Sequence, residues 1–158
     1  MISSSHIPIL DNTQHSQQTD FDDPGGIGTH SLIWQREWET TNKGRITKDY
    51  FPKLAERLHV KIHLTQNFTT TVTGHGNIKA YLYRFKIIEA PNCPRRNDNQ
   101  TTEHILQYCA ILKEDRERLI AAVAKADNWP INKEMVIKKH YKAFAKFTKQ
   151  IDKIKEMN

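Results

Sequence analysis

The clearest hydrophobic pattern lies near the end of the chain, between about residues 132 and 155. Apolar and aromatic side chains recur there at alternating steps of three and four residues, which places them along one face of a helix. The residues of this stripe are Ile137, His140, Phe144, Phe147, Ile151 and Ile154. The pattern predicts a long C-terminal helix that packs on a neighbour, either within this chain or in a second copy.

Shorter helices are predicted upstream. Ser31 can cap a helix that carries Trp34 and Trp38 on one face, because residues four apart lie on the same side of a helix. Pro52 suits the first turn of a second helix, which extends to Leu58. The tryptophans are expected to serve in core packing, in preference to base stacking.

The middle of the chain gives mixed signals. Residues 60–73 begin with strand-like alternation and continue with β-branched side chains, so a short strand or hairpin is an alternative there. Residues 78–85 repeat apolar side chains at helical spacing. Thr101 or Thr102 can cap a further helix that runs to Ala126.

These elements predict a mainly α fold. Residues 1–30 are polar and poor in apolar side chains, and we expect a disordered tail there. Residues 31–126 would form a small helical domain with a short hairpin as an alternative, and residues 127–158 a long basic C-terminal helix.

Charge is distributed unevenly over the 158 residues. The chain carries +6, but residues 1–30 contain four Asp and no Lys or Arg, so the remainder carries +10. Residues 131–158 alone hold eight Lys against three acidic residues. A cationic body attracts polyanions, and the attraction weakens with salt. RNA or DNA is therefore the expected partner, and a solvated basic surface is the alternative.

Two cysteines occur in a chain without a secretory signal or a run of about 18 apolar residues. These features predict an intracellular protein of the nucleus or cytoplasm, with reduced thiols and no membrane segment. Cys93, His104 and Cys109 have a spacing that resembles the second half of a CCHC zinc knuckle. Arg95 stands where a second cysteine would complete the site; Asp98 could contribute an oxygen or His75 a nitrogen as the fourth ligand, but spacing predicts neither.

Geometry raises a further question about this trio. Residues five apart on a regular α-helix differ by about 140° around its axis. His104 and Cys109 would therefore face different directions unless the helix begins late or is distorted. The alternative to a zinc site is a reduced, buried cysteine pair beside a histidine at the start of a helix.

Several short motifs together resemble one family. They are Trp34-Gln35-Arg36-Glu37-Trp38, Lys43-Gly44-Arg45-Ile46-Thr47, Tyr50-Phe51-Pro52, Thr73-Gly74-His75-Gly76, Tyr81-Leu82-Tyr83-Arg84-Phe85, Cys93-Pro94, Gln100-Thr101, Glu103-His104-Ile105-Leu106, Cys109, Arg116 and Leu119. Their order and spacing over about residues 32–125 are similar to the region that follows ribonuclease H in jockey- and I-like non-LTR retrotransposon polyproteins.

The resemblance implies a C-terminal polyprotein segment whose knuckle helps bind RNA or target DNA. It assigns Cys93, His104 and Cys109 as metal ligands, and it does not extend to Arg95, which replaces the family's second cysteine. The catalytic motifs of the parent polyprotein are not found in the sequence, so we expect no enzyme activity. A degenerate, non-functional remnant and a helical protein-interaction module, which could self-associate through the C-terminal stripe, are the alternatives.

Candidate nucleic-acid contacts follow from charge and aromatic content. Tyr81, Tyr83 or Phe85 could stack on unpaired bases, but at least two of the three are expected in the core. Phosphates would be held by basic side chains, which bind without reading sequence. The expected contacts are Arg84, Arg95, Arg96, Lys138, Lys139, Lys142 and Lys146.

Overall fold

The computed structural model describes residues 27–95 and 98–156, with side chains from residue 30 onward. Most of the expected disordered tail, residues 1–26, lies outside the described residues, as does Arg96. The described part is mainly helical, which confirms the predicted fold class. Its helices are α1 (Ile27–Thr40), α2 (Arg45–Tyr50), α3 (Leu54–His59), α4 (Gln66–Thr73), α5 (Lys79–Arg84), a π-helical turn (His104–Tyr108), α6 (Lys113–Val123), α7 (Lys133–Lys149) and α8 (Asp152–Lys155). None of these helices is both long and apolar enough to cross a membrane.

Helix α7 is the centre of the fold and packs against α2, α4 and α6. Phe144, near its middle, is fully buried, and its ring lies 5.7 Å from that of Tyr50 and 5.9 Å from that of Phe68. The predicted stripe faces this core: five of its six side chains are buried, and His140 is partly buried. The stripe is therefore covered by the chain's own helices.

The C-terminal helix is less continuous than its periodicity predicts. His140 has non-helical torsions (φ −121°, ψ 22°) that kink α7, and its Nε2 lies 2.9 Å from the Asp127 carboxylate. The chain then leaves the helix after Lys149 and resumes in the short α8. The apolar spacing survives these interruptions because Ile151 and Ile154 still reach the core.

The strand or hairpin considered for residues 60–73 is wrong, since α4 occupies most of the second half of this range. Thr65 caps the helix by accepting a hydrogen bond from Phe68 N–H. Thr71 and Thr73 each donate a hydroxyl hydrogen bond to the backbone carbonyl four residues earlier, both at 2.7 Å. Burial of Phe68 and Val72 outweighs the modest strand preference of β-branched side chains.

The side chain of Gln35 links α1 to the start of α3. Helix α1 begins at Ile27, four residues before the expected boundary at Ser31, and runs past both tryptophans. Trp34 is 45% exposed, so the prediction that it packs in the core is wrong, whereas Trp38 is half-buried. Gln35 donates to the Pro52 carbonyl (3.0 Å) and accepts from Leu54 N–H (2.8 Å) at the start of α3. Between these helices lies α2, which the sequence pattern did not predict.

The helix predicted from residue 101 to 126 is divided in two. Thr101 does cap its start, since its hydroxyl accepts a hydrogen bond from His104 N–H at 3.0 Å. The first turn is π-helical, and the chain then passes through a non-helical connection before α6 begins. This break lies beside the predicted metal ligands.

Replacing Phe144 by Ala should lower the free energy of unfolding by about 3–5 kcal/mol, because the cavity would lie between several fixed rings. Leu32→Ala is the control: Leu32 is 69% exposed, and its replacement should change stability by about 0.5 kcal/mol or less. Urea unfolding followed by circular dichroism measures both. Equal effects of the two substitutions would contradict the central position of Phe144.

Candidate functional site

The three predicted metal ligands meet in the interior of the protein. Cys93, His104 and Cys109 are buried, and their ligating atoms all lie within 4.8 Å of one another. Both cysteines are free thiols, with 3.8 Å between the two sulfur atoms. Tetrahedral zinc with bonds of about 2.3 Å to each thiolate requires sulfur atoms about 3.8 Å apart. The donor set and its spacing therefore fit a zinc ion.

The π-helical turn brings His104 and Cys109 to the same side. Cys109 N–H donates to the His104 carbonyl at 2.7 Å, which closes one turn over five residues. In such a turn, residues five apart lie approximately above one another, unlike the same pair in an α-helix. On a regular α-helix, His104 and Cys109 would face different directions. The π-helical turn is a distortion that brings both side chains to one side.

The Cys109 thiol is surrounded by groups that affect its ionisation. Burial raises its pKa, and the neighbouring Cys93 raises it further. Hydrogen bonds from the backbone of Leu112 and Ile111 act in the opposite direction. Arg116 donates to the Cys109 carbonyl at 3.1 Å, so it fixes the position of the loop that carries this sulfur.

The candidates for a fourth ligand differ in position. Asp98 approaches the cluster, with its carboxylate 4.0 Å from His104 Nδ1, and its backbone carbonyl accepts from Cys93 N–H at 2.9 Å. His75 is exposed, and its ring lies 4.9 Å from that of Tyr81. Arg95 is exposed on the turn after Cys93. Of the two proposed substitutes for a cysteine, Asp98 is the one beside the site.

Two of the predicted phosphate contacts are already engaged by carboxylates. Lys138 forms ion pairs with Glu56 and Glu134, and these hydrogen bonds raise the pKa of its ammonium group. Lys139 pairs with Asp127 at 2.8 Å. Compensated charges attract a polyanion less strongly than free ones, so these lysines are weaker candidates than the sequence indicated.

An uncompensated group remains on the exposed side of α7. Lys142 and Lys146 were predicted contacts, and Lys149 adds a third position that the same helical spacing could have shown. All three are exposed, and none has an acidic partner in the described part of the chain. We call them the lysine stripe.

The lysine stripe runs alongside α6. The pair Lys139–Asp127 lies beyond one end of it, and the pair Lys153–Asp115, at 2.7 Å, lies beyond the other. Asp115 is buried and also accepts from Arg118 at 2.8 Å. Helices α6 and α7 therefore pack antiparallel. The ammonium groups of the lysine stripe lie between the ion pairs of Lys139 and Lys153, which are neutralised by Asp127 and Asp115.

The aromatic side chains on α5 and at Phe85, which directly follows it, are more exposed than predicted. Tyr83 is 49% exposed and Phe85 is 55% exposed, so the expectation that at least two of the three aromatics lie in the core was wrong. Tyr81 packs partly on the core, and its ring centre lies 4.8 Å from that of Phe85. The guanidinium of Arg84, a predicted contact, lies 5.9 Å from the Phe85 ring centre. The row of His75, Tyr81 and Phe85 with Arg84 is called the aromatic platform below.

Comparison with known proteins identifies relatives for part of the chain. No family model matches it, and no solved structure matches it. It is 25% identical over 88 residues to a Retrovirus-related Pol polyprotein from the type-1 retrotransposable element R1 of Bradysia coprophila, over 54% of this chain and 9% of that protein. An R1 counterpart from Nasonia vitripennis is 25% identical over 85 residues, which cover 53% of this chain and 21% of the relative. One from Popillia japonica is 34% identical over 92 residues, which cover 54% of this chain and 33% of the relative.

The chain thus spans between about a tenth and a third of the length of these relatives. The resemblance to a non-LTR retrotransposon polyprotein is confirmed to that extent. Over about half of its length, this chain is similar to Pol polyproteins of R1 retrotransposons.

Proposed function

We propose that this chain corresponds to the C-terminal region after ribonuclease H in a non-LTR retrotransposon polyprotein, and that it binds single-stranded RNA or DNA. We further propose that its role is binding and that it performs no catalysis of its own. The observation that carries the proposal is the aromatic platform: a row of three adjacent, mutually tilted rings next to an arginine, in which His75 and Phe85 are exposed and Tyr81 is half-buried. Bases stack on such rings whatever their sequence, at about 1–3 kcal/mol per base.

The lysine stripe supports the same proposal. Three free ammonium groups along one helix can follow a phosphate backbone, and binding of this kind releases counterions and falls with salt. Duplexes also present phosphates, but they do not offer unstacked bases to the rings of α5. The preference for single strands therefore rests on the platform, and the salt dependence rests on the stripe.

Zinc is proposed as a structural ion of this module, held by Cys93, His104 and Cys109, with Asp98, whose carboxylate lies 4.0 Å from His104 Nδ1, as the candidate oxygen donor. Bound zinc would fix the loop after Cys93 against the π-helical turn. The sulfur separation of 3.8 Å and the burial of all three residues support it. Both cysteines must stay reduced to bind zinc, which agrees with the location in the nucleus or cytoplasm that the sequence predicts.

Metal content tests the zinc site directly. Native mass spectrometry should show one zinc ion per chain, and Cys93→Ser should remove it. Arg95→Cys should tighten zinc binding, because it replaces a repelling cation with a third thiolate, which supplies the missing fourth ligand.

Arg95→Ala is the control for the loss of charge alone, and it should tighten binding less than Arg95→Cys. Equal zinc affinities of the two Arg95 variants would show that the fourth position is filled by another group. Absence of zinc from the wild-type protein purified in zinc-containing buffer would remove the metal from the proposal.

The lysine stripe is tested by salt dependence. Changing Lys142, Lys146 and Lys149 together to Gln should flatten the slope of log affinity against log salt by about 2 for a single strand, since each phosphate contact contributes about 0.7. A matched triple variant changes Lys133, Lys138 and Lys139 to Gln, with the same loss of formal charge from ion-paired positions. Equal slopes in the two variants would mean that the stripe has no special role.

The aromatic platform is tested by Phe85→Ala. Affinity for a single-stranded 12-mer should fall about tenfold, with an unchanged salt slope, because the loss is in stacking and not in charge. Trp34→Ala removes another exposed aromatic, on α1, and should have little effect. Fluorescence anisotropy with single- and double-stranded probes measures both. A wild-type protein that binds duplex and single strand equally well would contradict the proposal.

A further inference from the structure

A cavity of about 470 Å³ has Lys79 and Leu82 of α5 in its wall. It is bordered by α5, by the segment that follows α5, by the π-helical turn and by the C-terminal residues around α8. Its walls are mostly apolar, and they include Leu82, Ile88, Ile105 and Ile154. A flat apolar group could be enclosed there.

One buried amide borders this cavity. Gln100 is only 3% exposed, and its side-chain oxygen accepts from Lys79 N–H at 3.0 Å. Because the Lys79 amide is a donor, the oxygen must be the atom that faces it, and this fixes the orientation of the Gln100 amide group. Its Nε2 is buried without a hydrogen-bond partner in the described part of the chain. A buried donor of this kind is stabilised by any acceptor that reaches it.

Charge at the cavity is positive. Lys79 and Lys155 both line it. Lys155 is engaged by Asp152 and Asn67, but Lys79 has no acidic partner among the residues that the structure describes. Lys79 and Leu82 border the cavity from α5, the helix that also carries Tyr81 and that ends just before Phe85.

We propose that this cavity accepts one unstacked base of a single-stranded nucleic acid and that Gln100 Nε2 donates a hydrogen bond to an exocyclic carbonyl oxygen of that base. The proposal rests on the proposed function. Lys79 holds the adjacent phosphate, and the apolar walls enclose the ring. Uracil, thymine, guanine and cytosine carry such an oxygen, and adenine does not. Adenine offers only ring nitrogens as acceptors, and these do not project from the ring as a carbonyl oxygen does, so the cavity favours a carbonyl-bearing base, although the platform is indifferent to base identity.

The test compares labelled 12-mers of uridine and adenosine by fluorescence anisotropy. Gln100→Glu keeps the size of the side chain and the oxygen that accepts from Lys79 N–H, but it removes the donor. Its added negative charge weakens binding of both oligomers. The ratio of the affinity for oligo-U to that for oligo-A should fall about tenfold, because uracil loses the hydrogen bond to its carbonyl oxygen, a contact that adenine does not form.

A second pair of variants tests the cavity without changing charge. Ala90 is exposed at the opening, so Ala90→Trp would obstruct it at little cost to folding. Ala55→Trp makes the same change at an exposed position on α3 and should preserve the ratio. Thermal unfolding confirms that each variant is folded. The obstructed variant should lose the preference for uridine as Gln100→Glu does.

The outcomes separate the two levels of the proposal. Binding of both oligomers with a ratio that neither Gln100→Glu nor Ala90→Trp changes would overturn the base site and leave the proposed function intact. Failure of the wild-type protein to bind any oligomer would overturn both. Uridine monophosphate that competes as well as the 12-mer would show a free nucleotide as the ligand and would overturn the strand-binding proposal.

Discussion

One backbone hydrogen bond, from Cys109 N–H to the His104 carbonyl, determines the geometry of the cysteine–histidine cluster. A regular α-helical turn would place these two side chains on different faces, and Cys93 would then meet only one of them. The wider turn costs favourable backbone geometry, so it must be held in place by its surroundings. Burial of Ile105 and Leu106, the Thr101 cap and the Arg116 contact to Cys109 supply this support.

The charge pattern shows how a basic chain can keep a limited cationic surface. Many of its lysines are matched to carboxylates from distant segments, for example Lys138 to Glu56 and Lys133 to Asp49. Such pairs add little stability at an exposed surface, but they cancel the field locally. The lysine stripe on α7 and Lys79 and Arg84 on α5 are among the cations for which the described residues provide no carboxylate partner. Net charge alone therefore overstates the area available to a polyanion.

Periodicity predicted the parts of the fold that bury a continuous stripe. The register from Ile137 to Ile154 placed α7 and α8 on the core correctly, because side-chain burial is a one-dimensional pattern on a helix. The six residues of α2 are too few to show a helical period in the sequence. Helix α4 was not predicted because its threonines favour strands, although the Thr71 and Thr73 hydroxyls donate to the helix backbone. The ligand trio was found from residue type and spacing. Three features depend on tertiary contacts and cannot be predicted from the local sequence pattern. They are the π-helical turn, the ion pairs and the buried Gln100 Nε2 without a hydrogen-bond partner.

The exposure of α5 and the segment after it has a consequence for the behaviour of the protein in solution. Tyr83, Phe85 and Ile87 are all about half exposed or more within five residues. Apolar surface of this kind favours adhesion when nothing covers it. A polyanion bound over these rings would act as a solubility factor, and preparations stripped of nucleic acid should be the more prone to precipitate.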